Sequence, residues 1–296
     1  MSSPALSPFQ IWMAAARPKT LAAAFVPVAV GSSIAFRFDS FKLSSSVIAL
    51  LVALLIQIGT NFTNDLYDFL KGADTKKRVG PLRVMNAGLV SEPQMRRAIY
   101  IVFGAAFLLG MILVVQTSWW LLAIGIFSIF AGLAYTAGPY PLAYNGLGDI
   151  FVFIFFGLVA TVGTFYVNTE TVTLASVIAS VPVGLLITNI LVVNNYRDAD
   201  QDKTAGKRTT AVLFGKGFAK FQFVISFVLA FAVPFWIYTF GYAGYGMFFM
   251  LFLLVPAVII IKGFLTRQGA ELNKTLENTA KFTAAYGLTY SLGFLL

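Results

Sequence analysis

Long apolar runs fix what this chain is able to become. Nine of them lie near residues 20–36, 45–69, 98–117, 119–136, 149–167, 173–194, 219–240, 243–264 and 280–296. About 20 mostly apolar residues in a helix cross the hydrocarbon core of a bilayer, and several of the runs reach that length with almost no charge. Charged residues make up only 11% of the 296, and hydrophobic residues 58%; a soluble domain carries roughly 25% charge, so this chain could not cover a water-facing surface. The runs are too long and too uninterrupted for barrel strands of about 9–11 alternating residues. In lipid each backbone polar group must be paired within the protein, which a helix does inside its own segment. The sequence therefore predicts an all-α polytopic membrane bundle of nine transmembrane helices, forming one integral-membrane domain over residues 1–296. The opening stretch Met1 to Gln10 has neither the basic region nor the cleavage site of a signal peptide.

The formal charge of +9 raises the possibility of a nucleic-acid partner, but the placement of the basic residues gives another reason for it. Arg17 and Lys19 precede the first span. Lys71, Lys76, Lys77, Arg78, Arg83, Arg96 and Arg97 follow the second, and Arg197, Lys203, Lys207, Arg208, Lys216 and Lys220 follow the sixth. Lys262, Arg267, Lys274 and Lys281 follow the eighth, which puts 19 of the 21 on one side, against Arg37 and Lys42 on the other. Cytoplasmic loops carry the excess of Lys and Arg. The split predicts a cytoplasmic N-terminus, an extracytoplasmic C-terminus and a multi-pass protein of the cell (inner) membrane, with no nucleic-acid partner.

Cysteine and histidine are both absent. That removes thiolate metal sites, a cysteine nucleophile and the commonest general base and zinc ligand. Chemistry must come from carboxylates, amides, basic groups and aromatics. Only 12 acidic residues exist, and six of them sit in two short segments. The first reads Asn64-Asp65-Leu66-Tyr67-Asp68-Phe69-Leu70-Lys71-Gly72-Ala73-Asp74, and the second Asn194-Asn195-Tyr196-Arg197-Asp198-Ala199-Asp200-Gln201-Asp202. Each stands at the cytoplasmic end of an even-numbered span and feeds a basic loop, a pattern of weak internal duplication.

Helical spacing crowds Asn64 and Asp65 against Asp68, and stacks Asn194, Asp198 and Asp202 in one i,i+4,i+8 stripe. Stacked carboxylates repel unless a cation lies between them, and acids at membrane depth are functional candidates by default. Hard oxygen donors without His or Cys select Mg²⁺ or Ca²⁺, and Mg²⁺ typically completes its shell with water and substrate phosphate. Lys76, Lys77, Arg78, Arg83, Lys203, Lys207 and Arg208 supply the matching phosphate-binding cations. Helix capping and ordinary inside-facing loops would explain either segment alone; both together, in a chain this poor in acids, describe a diphosphate site.

These paired segments resemble the two aspartate-rich motifs, NDxxDxxxD and DxxxD, of the UbiA-type intramembrane aromatic prenyltransferases, and the resemblance runs the length of the chain. Within that family, four features are similar to the 1,4-dihydroxy-2-naphthoate polyprenyltransferases of menaquinone synthesis. They are Arg17-Pro18-Lys19-Thr20, the run from Gly72 to Thr75 with Arg78 to Arg83, the run from Ala205 to Thr209, and Tyr135-Thr136-Ala137-Gly138-Pro139 continuing to Asp149. The resemblance implies metal ligation by Asn64, Asp65, Asp68, Asp198 and Asp202, and the helical stripe adds Asn194 to the candidate ligands. The last aspartate of the first motif falls on Gly72, which cannot ligate, and Asp74 is the substitute. A YxxxK element of many relatives begins at Tyr135, but Pro139 occupies the lysine place. Asp200 matches no motif position and is expected to face solvent.

The implied reaction is Mg²⁺-dependent transfer of a polyprenyl group from its diphosphate to an aromatic acid in the membrane, here 1,4-dihydroxy-2-naphthoate, with loss of CO₂ and diphosphate. Asp65, Asp68, Asp198 and Asp202 would carry it, with Lys76, Arg78, Arg83, Lys203, Lys207 and Arg208 on the diphosphate. Tyr135, Tyr140 and Tyr144 are candidates to face the allylic cation, or belong to the interfacial aromatic belt. Asp149 would orient or deprotonate the acceptor, or cap a helix. The alternatives are another aromatic acceptor (4-hydroxybenzoate or homogentisate), phytyl transfer for phylloquinone, and, in a different class, a transporter, whose carboxylates typically lie near the midplane on broken helices.

Overall fold

Each connection between apolar runs must turn the chain around where polar residues meet water, and the helix ends mark those points. The computed structural model describes residues 6–73 and 82–296. Every regular element among them is helical: α1 (Pro8–Ala16), α2 (Ala22–Arg37), α3 (Leu43–Leu70), α4 (Glu92–Gln116), α5 (Trp120–Ala134), α6 (Gly148–Val152), α7 (Ala160–Thr169), α8 (Leu174–Thr204), α9 (Thr210–Leu213), α10 (Gly215–Thr239), α11 (Leu254–Thr266) and α12 (Leu272–Leu295). A π-helical stretch, Phe153–Val159, joins α6 to α7, and a 3₁₀ run, Tyr245–Leu253, leads into α11. The start of α1 follows its sequence: Pro8 occupies the first turn while Ser7 and Gln10 cap each other reciprocally.

The all-helical membrane class stands, but a count of nine spans does not follow. Six segments among the described residues are long and apolar enough to cross a membrane: α3, α4, Gly148–Thr169, α8, α10 and Tyr245–Thr266. A seventh appears if Pro8–Thr20 and Ala22–Arg37, bent by 50°, are one span. Helix α5 has 15 residues, about 22 Å of helix against a core of about 30 Å. Helix α12 is long, but its Thr275, Thr279, Thr283, Tyr286 and Tyr290 are polar and buried, which lowers its hydropathy while it packs on protein.

Two apolar cores flank a central gap. One joins α2, α8, α10 and α12 around Ile34, Leu186, Phe227 and Tyr286; the other joins α1, α3 and α4 around Leu66, Met95 and Phe103. Helix α8 is the innermost: 67% of its apolar window is buried inside the protein, against 22–33% in the other five. It reaches that depth through small residues. A methyl group at Gly157 of the π stretch would come within 2.7 Å of the Gly184 Cα, so the two backbones touch only because neither carries a side chain. The gap, lined by α2, α3, α4, α5, the π stretch, α7 and α8, is a cavity of about 460 Å³.

Candidate active site

Helix periodicity decides which acids reach the cavity. On α3, Gln57, Asn61, Asn64 and Asp68 line it, and on α8 so do Asn194, Asp198 and Asp202, the stripe expected from spacing. Asp65, one position off the α3 stripe, does not. Its Oδ2 accepts the Val84 backbone N–H at 3.1 Å, deep in the protein. Asp65 therefore ties the returning segment to α3 and is not itself among the residues lining the cavity. Asp74, Lys76, Lys77 and Arg78 lie outside the described residues.

The end of α3 explains Gly72. Its φ of +65° lies in the left-handed region that glycine enters at little cost, and the Ala73 N–H returns to the Asp68 carbonyl at 2.9 Å. The position where the motif would carry its last aspartate is the turn that ends the helix.

Three loops converge on Asp68. Arg83 donates Nη2–H to its Oδ2 at 3.0 Å, the Tyr144 hydroxyl donates to Oδ1 at 2.8 Å, and Lys207 Nζ stands 3.2 Å from Oδ1. The Arg208 N–H donates to the Tyr144 carbonyl at 2.9 Å, which ties the loop after α8 to the loop after α5. Tyr144 also carries two ammonium groups over its ring, Lys207 at 4.6 Å and Lys71 at 4.7 Å from the centroid, an attraction of about 0.5–2 kcal/mol each. Lys71 donates to the Thr136 carbonyl at 2.7 Å, and the Thr136 hydroxyl to Asn64 Oδ1 at 2.8 Å. Desolvation lowers the Lys71 pKa, with Asp68 opposing and Lys207 reinforcing the shift.

Across the cavity, Asp198 is clasped by Arg197. Nε and Nη2 bind its two oxygens at 2.7 and 2.6 Å, while Nη2 also reaches Asn194 Oδ1 at 2.6 Å and Nη1 reaches Asn273 Oδ1 of α12 at 2.7 Å. Lys207 lines the cavity; Lys203 and Arg208 are exposed, and Arg83 is half-buried, paired with Asp68. Asp200 faces solvent, paired with Lys216 at 2.9 Å. Tyr135 lines the cavity, whereas Tyr140 is exposed.

Asp149 also lines the cavity, and it caps nothing. Its Oδ1 accepts from Asn195 of α8 at 3.3 Å, and its Oδ2 from Thr210 of α9 at 2.6 Å and Gln222 of α10 at 3.0 Å. Below this polar head the walls are apolar, with Ala53, Ile56, Val114, Leu121 and Val167 among them. A charged head joined to an apolar limb suits an amphiphile with an anionic end.

The UbiA prenyltransferase family model matches residues 24–284. The chain belongs to that family. Among its relatives, the 1,4-dihydroxy-2-naphthoate octaprenyltransferase of Bacillus subtilis (strain 168) is 32% identical over 290 residues, covering 97% of this chain and 93% of the relative. The enzyme of the same name from Escherichia coli (strain K12) is 37% identical over 222 residues, covering 73% and 72%. Among solved structures, a UbiA homolog from Archaeoglobus fulgidus bound to DMAPP and Mg²⁺ shares the fold with a TM-score of 0.67 at 17% identity, covering 94% of this chain and 98% of that one.

For a UbiA site, the donor set is right in kind for a hard cation. Asn64, Asp68, Asn194, Asp198 and Asp202 present only oxygen and amide groups to one cavity, although among the described residues no three carboxylates are drawn together as a metal cluster. Asp68 and Asp198 instead hold the protein's own cations. Spacing alone missed Lys71, Thr136 and Arg197; the adjacency of Arg197 to Asp198 was the one available signal.

Proposed function

We propose that the protein transfers a polyprenyl group from its diphosphate to 1,4-dihydroxy-2-naphthoate, releasing CO₂ and diphosphate, in menaquinone synthesis. The observation that carries this reading is the cavity itself, in which Asp68, Asp198, Asp202 and Lys207 stand at one end of an apolar limb. The names of the relatives supply the acceptor. The donor's diphosphate lies at the Lys207 end, where Lys71 and Lys207, both seated on Tyr144, offset its charge. Asn64, Asp68, Asn194, Asp198 and Asp202 are the residues that would hold Mg²⁺, exchanging contacts with Arg83, Lys207 and Arg197 for the metal, and it would supply charge neutralisation to the leaving diphosphate.

The ring carbon bearing the carboxylate bonds to the allylic carbon as the C–O electrons leave with diphosphate. CO₂ then departs, and its bonding pair restores the aromatic ring. No ring proton has to be removed, so no general base is required at that carbon. This agrees with Asp149 being held by three donors, and we assign it the role of bracing α6 against α8, α9 and α10. Apolar walls keep water from the allylic cation. The site faces the cytoplasm of the cell membrane, on the side of the basic loops.

Purified protein in detergent, given Mg²⁺, a polyprenyl diphosphate and a panel of aromatic acids, tests the reading by mass spectrometry of the products. The expected product is a prenylated naphthoquinol lacking the carboxyl group. Exclusive turnover of 4-hydroxybenzoate or homogentisate would reassign the acceptor, and absence of any prenylated product would overturn the reading.

A further inference from the structure

The polar head of the cavity is balanced in charge by the protein itself. Its lining acids are Asp68, Asp149, Asp198 and Asp202. Among the described residues, as many cations meet them. Arg83 and Lys207 lie 3.0 and 3.2 Å from Asp68, Arg197 lies 2.6 Å from Asp198, and Lys71 shares the Tyr144 ring with Lys207. Arg197 is the most firmly held of these. One guanidinium bonds both Asp198 oxygens, the Asn194 side chain and Asn273 of α12, so it turns away from Asp198 only by giving up its contact with α12.

A divalent ion at Asp198 must take a place from this guanidinium or stand beside it on the remaining lone pairs. Either way it meets a fixed positive charge, at a head with no surplus negative charge to offset the repulsion. A diphosphate brings that surplus, and Mg²⁺ ordinarily binds through one or two carboxylates plus substrate phosphates. We propose that Arg197, with Arg83 across the cavity, makes metal binding conditional on a diphosphate, so that the site takes up the two as a pair and binds the metal weakly without it. The proposal rests on the prenyl-transfer reading above. Both arginines are positioning residues here, acting through Asp198 and Asp68. Coupling of this kind is reciprocal: diphosphate tightens the metal by the same factor as the metal tightens diphosphate.

Two measurements on the full chain in detergent test the coupling. In the first, melting temperatures are read with Mg²⁺, with geranyl thiolodiphosphate (a donor analogue that resists cleavage) and with both. Wild type should gain more from the pair than from the two single additions together, since a ligand stabilises in proportion to its occupancy. In the second, equilibrium dialysis reads the affinity for Mn²⁺ alone, with no diphosphate present. Arg197→Gln should bind Mn²⁺ about tenfold or more tighter than wild type, even though it melts lower for want of a counter-ion to Asp198. A purely structural arginine would lower the melting point without tightening the metal. Arg83→Gln reads the same gain from Asp68, should Arg197→Gln fail to fold. Lys216→Gln, which removes a cation from the solvent-facing pair with Asp200, should leave Mn²⁺ affinity unchanged. Additive melting shifts in wild type, or unchanged Mn²⁺ affinity in the folded arginine variants, would overturn the coupling while leaving prenyl transfer intact. No shift in wild type with Mg²⁺ and the thiolodiphosphate together would overturn both the coupling and the prenyl-transfer reading.

Discussion

At the scale of single residues, two of the candidate acids are already matched by cations. Asp68 and Arg83 have side chains 4% and 9% exposed, and Asp198 and Arg197 11% and 1%. Removing a carboxylate outright strands a buried arginine, which is strongly destabilising, so amides are the cleaner probe. Asp68→Asn and Asp198→Asn keep most hydrogen bonds and lose the charge. Each should lower turnover on the order of 10²-fold or more, since the lost carboxylate would hold the cation that offsets the charge of a leaving diphosphate. The double variant should fall well short of the product of the two effects, because residues that act as a unit are not lost independently. Asp200→Ala, at a solvent-facing ion pair, should stay within a few-fold of wild type. Steady-state rates decide among these, and near-normal turnover in a folded Asp68→Asn protein would remove Asp68 from the site. EDTA should abolish product formation and Mg²⁺ restore it; full activity in chelated buffer would exclude the oxygen ligands named above.

At the scale of elements, the close approach of the π stretch to α8 places the cavity wall. Gly157→Val drives a branched side chain into the Gly184 backbone, 2.7 Å from where its Cβ must stand. It should cost about 1–3 kcal/mol, read as a lowered melting temperature in detergent, and an unchanged melting point would mean that the helices part without penalty. Asp149→Ala orphans donors on α8, α9 and α10, at a cost of about 1–3 kcal/mol of stability; a fall in turnover alone, with the melting point unmoved, would make Asp149 a reacting group instead of a brace. Much of this level was legible in the sequence. Apolar runs located the helices, because lipid leaves little choice, and the i,i+4 arithmetic put Asn194, Asp198 and Asp202 on one face. Spacing could not tell Asn64 from Asp65, since both neighbour Asp68 and only the returning segment at Val84 claims one of them. The approach of Gly157 to Gly184, the Lys71–Tyr144–Lys207 stack and the three donors to Asp149 join residues far apart in sequence, so no local pattern announces them. The count of nine spans is not matched by length and hydropathy for a related reason, as α12 owes its place to packing and has too little apolar character of its own.

At the scale of the whole molecule, charge separates the two ends. The loops carrying Lys71, Arg83, Lys207 and Arg208 gather with Asp68, while Lys42 pairs with Glu170 at 3.0 Å beside the connection following Arg37. A reporter inserted between Lys76 and Arg83 should read cytoplasmic and one fused after Leu296 extracytoplasmic; the same side for both would refute an odd number of crossings. The contact between Arg197 and Asn273 carries a consequence for biosynthesis. Asp68 leaves the ribosome early, yet the guanidinium that clasps Asp198 finds its last partner only on α12, which also packs along α2. At about 5–20 residues per second, roughly ten to forty seconds separate synthesis of the first motif from that of Asn273. A nascent chain arrested before α12 would therefore carry both aspartate motifs in the membrane and still lack the scaffold that holds them to one reaction.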